Sequence, residues 1–282
     1  MRPADRLPRQ AVVAGATLIA LVVLAALAPV ISPFAFDALD LAHRRAAPSI
    51  AHWFGTDELG RDLLTRVLFG ARVSLAVGFV SAAVSVLLGI AIGATAGWTG
   101  RWIDAVLMRV TDAMLAVPRL PLLMIAAAVL APNVAVLVLL VGAAGWMETA
   151  RVVRAEVQSI KANDFVTAAR AVGAASSRVV VRHVLPGVLP TAAVATTLAV
   201  GRGILLESAL SFFGVGVQPP AASWGNMLYQ AQTTMTSEPW LGIFPGALIF
   251  LTVLCCNTLG TALTEPAVSR GVSRGVSRGQ SP

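Results

Sequence analysis

The chain has 282 residues, of which 57% are hydrophobic and only 12% are charged. A soluble domain carries about a quarter charged residues, so this composition excludes an ordinary soluble protein and favours an integral membrane protein. The formal net charge is +7. The basic residues fall mainly between apolar runs, as membrane topology requires, and they give no case for nucleic-acid binding.

Apolar runs, taken in chain order, predict an all-α integral membrane protein with six transmembrane helices. A helix needs roughly 20 apolar residues to cross a bilayer. Five runs contain no Asp, Glu, Lys or Arg: Ala11–Ile31, Val73–Trp98, Leu120–Met147, Val184–Gly201 and Pro239–Thr264. The third run contains Ala131-Pro132-Asn133, which favours a turn. We therefore predict one helix from Trp102 to Ala131 and the next from Val134 to Ala150.

These spans divide the chain into segments that alternate across the membrane. The predicted segments are a cytoplasmic N-terminus (1–10), the first span (11–33), an extracytoplasmic segment (34–70), a domain with the other five spans (71–264) that includes a cytoplasmic loop (151–186), and a disordered basic tail of V-S-R-G repeats (265–282). Both termini are then cytoplasmic, with fifteen of the 21 basic residues inside and five outside, in accord with the positive-inside rule. A cleaved signal peptide is the alternative for the first run, and Pro29 argues against it because it would directly follow the cut.

Residues that could carry catalysis are scattered along the sequence. The single lysine, Lys161, follows Ser159-Ile160 rather than a glycine-rich loop, so the sequence has no phosphate-binding P-loop. The three histidines have no metal-ligand spacing, and Cys255 and Cys256 lie within the last span. We expect a non-catalytic chain with no metal site and no bound cofactor.

Arg202 and Glu207 are charged residues within the fifth apolar segment, where polar groups are costly and often functional. They stand five apart, about 140° around a helix, which does not favour a pair within that helix. Glu207 is expected to face a polar cavity or a partner subunit, and the alternative is a solvated position near the outer interface. We predict that both residues line a translocation pathway.

The cytoplasmic loop predicts two short helices joined at a glycine. Asn163 or Asp164 can cap the first helix, Gly173 interrupts it, and a second helix is expected to run from Ala174 until Leu185-Pro186 ends it. Such a compact unit could seat in a groove of another protein. It could equally lie on lipid headgroups as an amphipathic helix, and spacing alone does not separate the two.

The loop resembles a motif of the permease subunits of binding-protein-dependent ABC importers. Thr167-Ala168-Ala169, Gly173 and Leu185-Pro186 follow the spacing of the E-A-A-x3-G-x9-I-x-L-P pattern, with Thr167 in place of Glu and His183 in place of Ile. Three further stretches resemble the dipeptide, oligopeptide and nickel group, and within it the second, C-type permease: His52–Phe79, Met108–Leu123 and Ala209–Leu228. The resemblance covers roughly residues 51–260.

The resemblance implies a type I ABC importer permease fold with a coupling-helix loop between spans four and five. It assigns contact with the ATPase to Asp164, Thr167, Ala168, Ala169, Arg170, Gly173, Leu185 and Pro186, and an extracytoplasmic family motif to Gly55, Asp57, Gly60, Arg61 and Asp62. Without the usual Glu, Asp164 or Arg170 would supply any charged contact.

The implied partners are a B-type permease in a heterodimer, two ATP-binding subunits that use ATP and Mg, and an extracytoplasmic substrate-binding protein, all at the bacterial cytoplasmic (inner) membrane. The implied function is ATP-driven import of dipeptides or oligopeptides. The alternatives are import of nickel or another small solute by the same architecture and, more remotely, a stand-alone secondary transporter or channel.

Overall fold

A computed structural model describes residues 8–130 and 133–276 of the chain. The described residues contain no β-strand, only an isolated bridge between Thr56 and Asp62. A 3-10 turn spans Leu41–His43, and a π-helical turn spans Val180–Val184. The α-helices are α1 (Arg9–Ile31), α2 (Leu63–Thr99), α3 (Arg101–Ala116), α4 (Arg119–Leu130), α5 (Val134–Ala143), α6 (Trp146–Lys161), α7 (Asp164–Ala171), α8 (Ser176–Val179), α9 (Leu185–Phe212), α10 (Trp224–Ala231) and α11 (Trp240–Val276).

Membrane crossings account for most of these helices. Four segments are long and apolar enough to cross a bilayer by themselves: α1, α2, the continuous helix Ser176–Phe212, and α11 as far as Thr264. Two bent pairs, α3 with α4 and α5 with α6, pass the same test jointly, which gives six crossings when each pair is one span. The prediction of an all-α membrane protein is confirmed, and the six crossings include two broken ones.

The third span is not the single straight helix predicted from Trp102 to Ala131. It breaks at Val117-Pro118, and α3 and α4 meet at 84°. Proline has no backbone N–H, and its ring keeps the preceding residue out of the helical region. Val117 is accordingly extended, with φ −82° and ψ 128°.

The fourth span also departs from the prediction of one helix from Val134 to Ala150. It bends by 41° after Ala143 and then continues as α6 through Lys161, well into the predicted cytoplasmic loop. Gly145 lies at the bend, where an added Cβ would approach the Ser85 hydroxyl to 2.6 Å, so a side chain there would push the bend away from α2.

Glycines on α2 let α6 approach closely enough for their backbones to touch. A Cβ added at Gly89, Gly93 or Gly97 would come within 3.0 Å of Thr149, Ala150 or Arg154 in turn. Because these contacts advance along both helices together, α2 and α6 run in the same direction. Small residues at regular spacing are the usual means by which membrane helices pack closely.

The C-terminal end of the chain differs from the sequence prediction. α11 continues to Val276, so residues 265–276 are helical where a disordered tail is predicted from residue 265. Adding residues to an existing helix requires no new nucleus, which allows α11 to extend past its apolar run. The rest of the predicted tail (277–282), most of the predicted N-terminal segment (1–7), and Ala131-Pro132 of the predicted turn lie outside the described residues.

Candidate functional site

The loop between the fourth and fifth spans forms the predicted helix and glycine break. α7 has Asp164 in its first turn, where a carboxylate favours the helix dipole. The helix then closes with a Schellman motif, in which Ala174 N–H donates to the Ala169 carbonyl and Gly173 N–H to the Arg170 carbonyl, both at 3.0 Å. Gly173 has φ +82°, and a Cβ added there would meet nothing within 4 Å. Glycine is therefore required for the backbone conformation, not for space.

α7 is attached to the membrane helices on both sides. The Arg170 guanidinium lies 4.5 Å from the ring centroid of Trp98, near the C-terminal end of α2, and Lys161 Nζ donates to the Trp98 carbonyl at 2.5 Å. The rings of Phe165 and His183 are 5.8 Å apart, which joins α7 to the turn that leads into α9. A displacement of α7 would therefore reach α2 and α9 together.

The exposed surface of α7 combines small, apolar and charged side chains. Thr167, Ala168 and Arg170 of the predicted coupling residues are exposed, and Ala169 is half-buried. Val172, which sequence reasoning did not single out, is 85% exposed. An apolar residue at the end of a helix, next to a conformationally required glycine, is the signal that could have found it.

The sequence predicts that Leu185-Pro186 ends a helix. In the structure this pair instead lies where the loop helix continues into α9. Leu185 N–H donates to the Val180 carbonyl, five residues back, so the helix widens into a π turn just before the proline. Pro186 then occupies the first turn of α9, where a proline fits because a first-turn N–H needs no partner within the helix. The loop and the fifth span are one continuous helix from Ser176 to Phe212.

The motif that the sequence analysis predicts to be extracytoplasmic (residues 55–62) forms a tight turn before α2. Gly55 and Gly60 have φ of +80° and +76°, and a Cβ at Gly60 would collide with the backbone of Asp40. Asp40 accepts the N–H of Ala42 at the start of the 3-10 turn, and its hydrogen bond with His43 lowers the pKa of the Asp40 carboxyl. The backbone of this turn therefore requires glycine at both positions.

The acidic residues of the same motif are buried and fully engaged. Asp57 accepts the N–H groups of Leu59 and Arg61 and the Arg61 Nε at 2.7 Å, and Arg66 Nε lies 3.4 Å from it. Asp62 caps α2 by accepting the Thr65 N–H at 2.8 Å. The motif thus orders the outer end of α2.

Glu207 has a different environment from either sequence expectation. Its side chain is fully buried within this chain, so it faces neither a partner subunit nor the solvent. Ser74 of α2 and Ser211 of α9 donate to its carboxylate at 3.1 and 2.8 Å, and the Trp224 N–H at the start of α10 donates to Ser74. Glu207 therefore joins α2, α9 and α10 and lines none of the cavities described here.

Arg202 contacts a carboxylate on another helix and not Glu207, because its spacing from Glu207 is unfavourable for a pair within one helix. Arg202 Nη1 contacts Glu148 Oε2, and Arg119 Nη2 donates to Glu148 Oε1 at 2.8 Å. We call these three residues the charged cluster. Sequence reasoning missed Arg119 and Glu148. Each stands at the edge of an apolar run close to a break in a span: Arg119 directly follows Pro118, and Glu148 lies three residues after Gly145.

Two cavities adjoin the charged cluster. One, of about 300 Å³, is lined by Glu148, Arg202 and Thr149, among others, and a smaller one of about 20 Å³ by Arg119, Arg202 and Ser85. The hydroxyls of Ser85 and Thr149 are buried without a hydrogen-bond partner among the described residues. Each cavity is therefore lined by a residue whose buried hydroxyl has no hydrogen-bond partner among the described residues.

Comparison with known families identifies the protein class. Residues 89–270 match the family described as the binding-protein-dependent transport system inner membrane component. The chain belongs to this family. The match includes α7, Gly173 and the charged cluster, whereas the outer motif before α2 lies N-terminal to it.

Similar proteins extend the likeness over most of this permease. A peptide permease protein of Brucella suis is 38% identical over 268 residues, which covers 94% of this chain and 89% of the relative. Dipeptide transport system permease proteins of Alkalihalophilus pseudofirmus and Bacillus subtilis are each 36% identical, over 86% and 88% of this chain and 80% and 78% of their own lengths. The multi-pass membrane fold and the transport class of this permease are established.

Proposed function

We propose that this permease is the C-type membrane subunit of an ATP-driven importer of dipeptides or oligopeptides. The observation that carries the proposal is the similarity, over most of the chain, to relatives named as peptide and dipeptide permeases. The exposed Thr167, Ala168 and Ala171 of α7 support the coupling part, because small side chains allow another protein to approach the helix backbone closely.

The proposed assembly contains a B-type permease as the heterodimer partner, two ATP-binding subunits, and an extracytoplasmic binding protein, in the bacterial inner membrane. The ATP-binding subunits bind ATP and Mg and carry out hydrolysis, and this chain contributes no catalytic step. Both termini face the cytoplasm in this arrangement, as the distribution of basic residues favours.

The proposed mechanism uses α7 as the contact through which the ATPase moves the membrane helices. Closure of the ATPase pair on ATP binding displaces α7, and its contacts with Trp98 and with the start of α9 carry the displacement to α2 and α9. Alternating access by relative motion of helix groups around a central site is the general route in such transporters. Since Thr167 is uncharged, the contact relies on shape, with Asp164 or Arg170 as the nearby charges.

Reconstitution tests this function. The permease is co-purified with its binding protein, the ligand inside the binding protein is identified, and uptake of labelled dipeptide into proteoliposomes is measured with and without ATP. ATP-dependent peptide uptake is the expected result. A nickel complex in the binding protein would contradict the peptide assignment alone, and robust ATP-independent transport by the permease by itself would contradict the importer.

A further inference from the structure

The charged cluster carries one positive charge in excess. Arg119 and Arg202 share the single carboxylate of Glu148. Charged side chains within a span cost free energy and usually have a function. A bridge that only held helices together would need one arginine, since a second one adds desolvation cost and repulsion without a second partner. The excess charge therefore points to an anionic ligand.

The position of the cluster agrees with a ligand site. Arg119 opens α4 directly after the Val117-Pro118 break, and Glu148 lies in the first turn of α6 after the Gly145 bend. Arg202 lies 17 residues from the start of α9 and 10 from its end, about 26 and 15 Å along the helix, and therefore in the interior of that helix. Broken helices are a usual construction of a transporter's substrate site.

The cavities supply an independent observation. Ser85 and Thr149 are 3% and 1% exposed, and both hydroxyls lack a partner among the described residues. Buried polar groups without a partner are uncommon and usually serve a ligand or a bound water. Thr149 lines the larger cavity and Ser85 the smaller one, and Arg202 lines both, so a polar residue and a positive charge adjoin each of these spaces.

We propose that the charged cluster binds the terminal carboxylate of a peptide as it crosses the membrane, with Arg202 as the principal donor. The proposal rests on the proposed peptide-import function. A guanidinium binds a carboxylate through two parallel hydrogen bonds, and a free linear peptide of any sequence has such a terminus. Glu148 competes for the same guanidinium groups, which keeps the binding weak enough for the peptide to leave.

A thiol-reactivity experiment tests the charge at the site without requiring transport. Thr191, which lines the larger cavity, is changed to Cys in a chain that carries Cys255→Ala and Cys256→Ala, within the complete complex in lipid nanodiscs. Anionic ethylsulfonate and cationic trimethylammonium methanethiosulfonates are compared. We expect the anionic reagent to react about tenfold faster, and Arg202→Gln to remove most of that preference. Arg109→Gln, a charge removed from α3 outside the cluster, is the matched control and should leave the preference unchanged.

Ligand protection and a second variant complete the test. Dialanine should slow the anionic reagent and its C-terminal amide should not, and Glu148→Gln should raise the anionic preference because it releases both arginines. Equal rates for the two reagents, an unchanged preference in Arg202→Gln, or equal protection by acid and amide would overturn the proposal.

Transport separates this proposal from the proposed function. If the complete complex imports no peptide, the proposed function fails, and the thiol result still decides whether the cluster binds anions. If peptide import is normal in Arg202→Gln, the carboxylate site fails and the import function stands. The expected result is a loss of about tenfold in uptake of the acid peptide, with a smaller loss for the amide, each relative to the unsubstituted complex.

Discussion

Substitutions at Gly173 separate the conformational role of the coupling loop from its contact surface. Gly173 has φ +82°, and nothing lies within 4 Å of an added Cβ. Gly173→Ala therefore introduces strain without a clash, and an L-residue in the left-handed region costs roughly 1 kcal/mol. If ATPase docking requires the Schellman cap, that strain lowers the docked population about fivefold. Asparagine tolerates positive φ, so Gly173→Asn is the matched control and should retain most coupling.

Gly173→Arg adds bulk at a position that is open in the isolated chain. Its strain equals that of Gly173→Ala, so any further loss measures contact with a partner at this surface. We expect substrate-stimulated ATPase activity to fall about fivefold in Gly173→Ala and to be abolished in Gly173→Arg, with unchanged amounts of subunit in the membrane. Equal activity in all three variants and the unsubstituted complex would refute the mechanical role of α7. Equal losses in the Ala and Arg variants would refute only the contact.

Substitutions at three further positions address the attachment of the loop and the packing of the spans. Trp98→Ala removes the ring beneath Arg170 and with it a cation–π interaction of about 1 kcal/mol. Uptake should fall several-fold while basal ATPase activity remains. Unaffected coupling would show that this contact transmits no motion. The sequence alone predicts that Glu207→Gln reduces transport more than assembly. Since Glu207 is buried, we expect Glu207→Leu to lower the Tm of the complex, because two serine hydroxyls lose their acceptor, and Glu207→Gln to lower the Tm less. Equal Tm values in both variants would contradict this expectation. Gly93→Val should reduce the yield of assembled complex on size-exclusion chromatography, because its side chain would overlap the Ala150 carbonyl, and normal assembly would show that the α2–α6 approach can relax.

The sequence predicts the loop well because its determinants are local. A glycine at C′ of a short helix depends on a few neighbouring residues, so Gly173 and the end of α7 are readable from spacing. Proline at position 118 is equally readable as a break, but the helix predicted from Trp102 to Ala131 runs through it. The role of Pro186 was not readable, since a π turn at Val180–Val184 determines whether the helix continues.

The charged cluster lies beyond sequence reasoning for a different reason. Arg202 and Glu148 are 54 residues apart, and their contact depends on how α6 and α9 pack after two other spans have bent. Hydropathy identifies each residue as unusual but gives no partner. The partners of Glu207 are not readable for the same reason, because its hydroxyl partner on α2 is 133 residues away in the chain.

These features meet on one element. The helix from Ser176 to Phe212 begins in the coupling loop and carries Arg202 in its interior. Its Glu207 accepts a hydrogen bond from Ser74, which in turn accepts the Trp224 N–H at the start of α10. This helix of 37 residues is about 55 Å long and continues through the π turn at Val180–Val184 and through Pro190, so its two ends belong to one element. Motion applied at α7 therefore acts on Arg202, whose partner Glu148 stands on α6, beyond the bend at Gly145. A rotation of α9 against α6 would open the contact between these two side chains and free Arg202 to bind a carboxylate, and the reverse rotation would return Glu148, which then displaces that carboxylate.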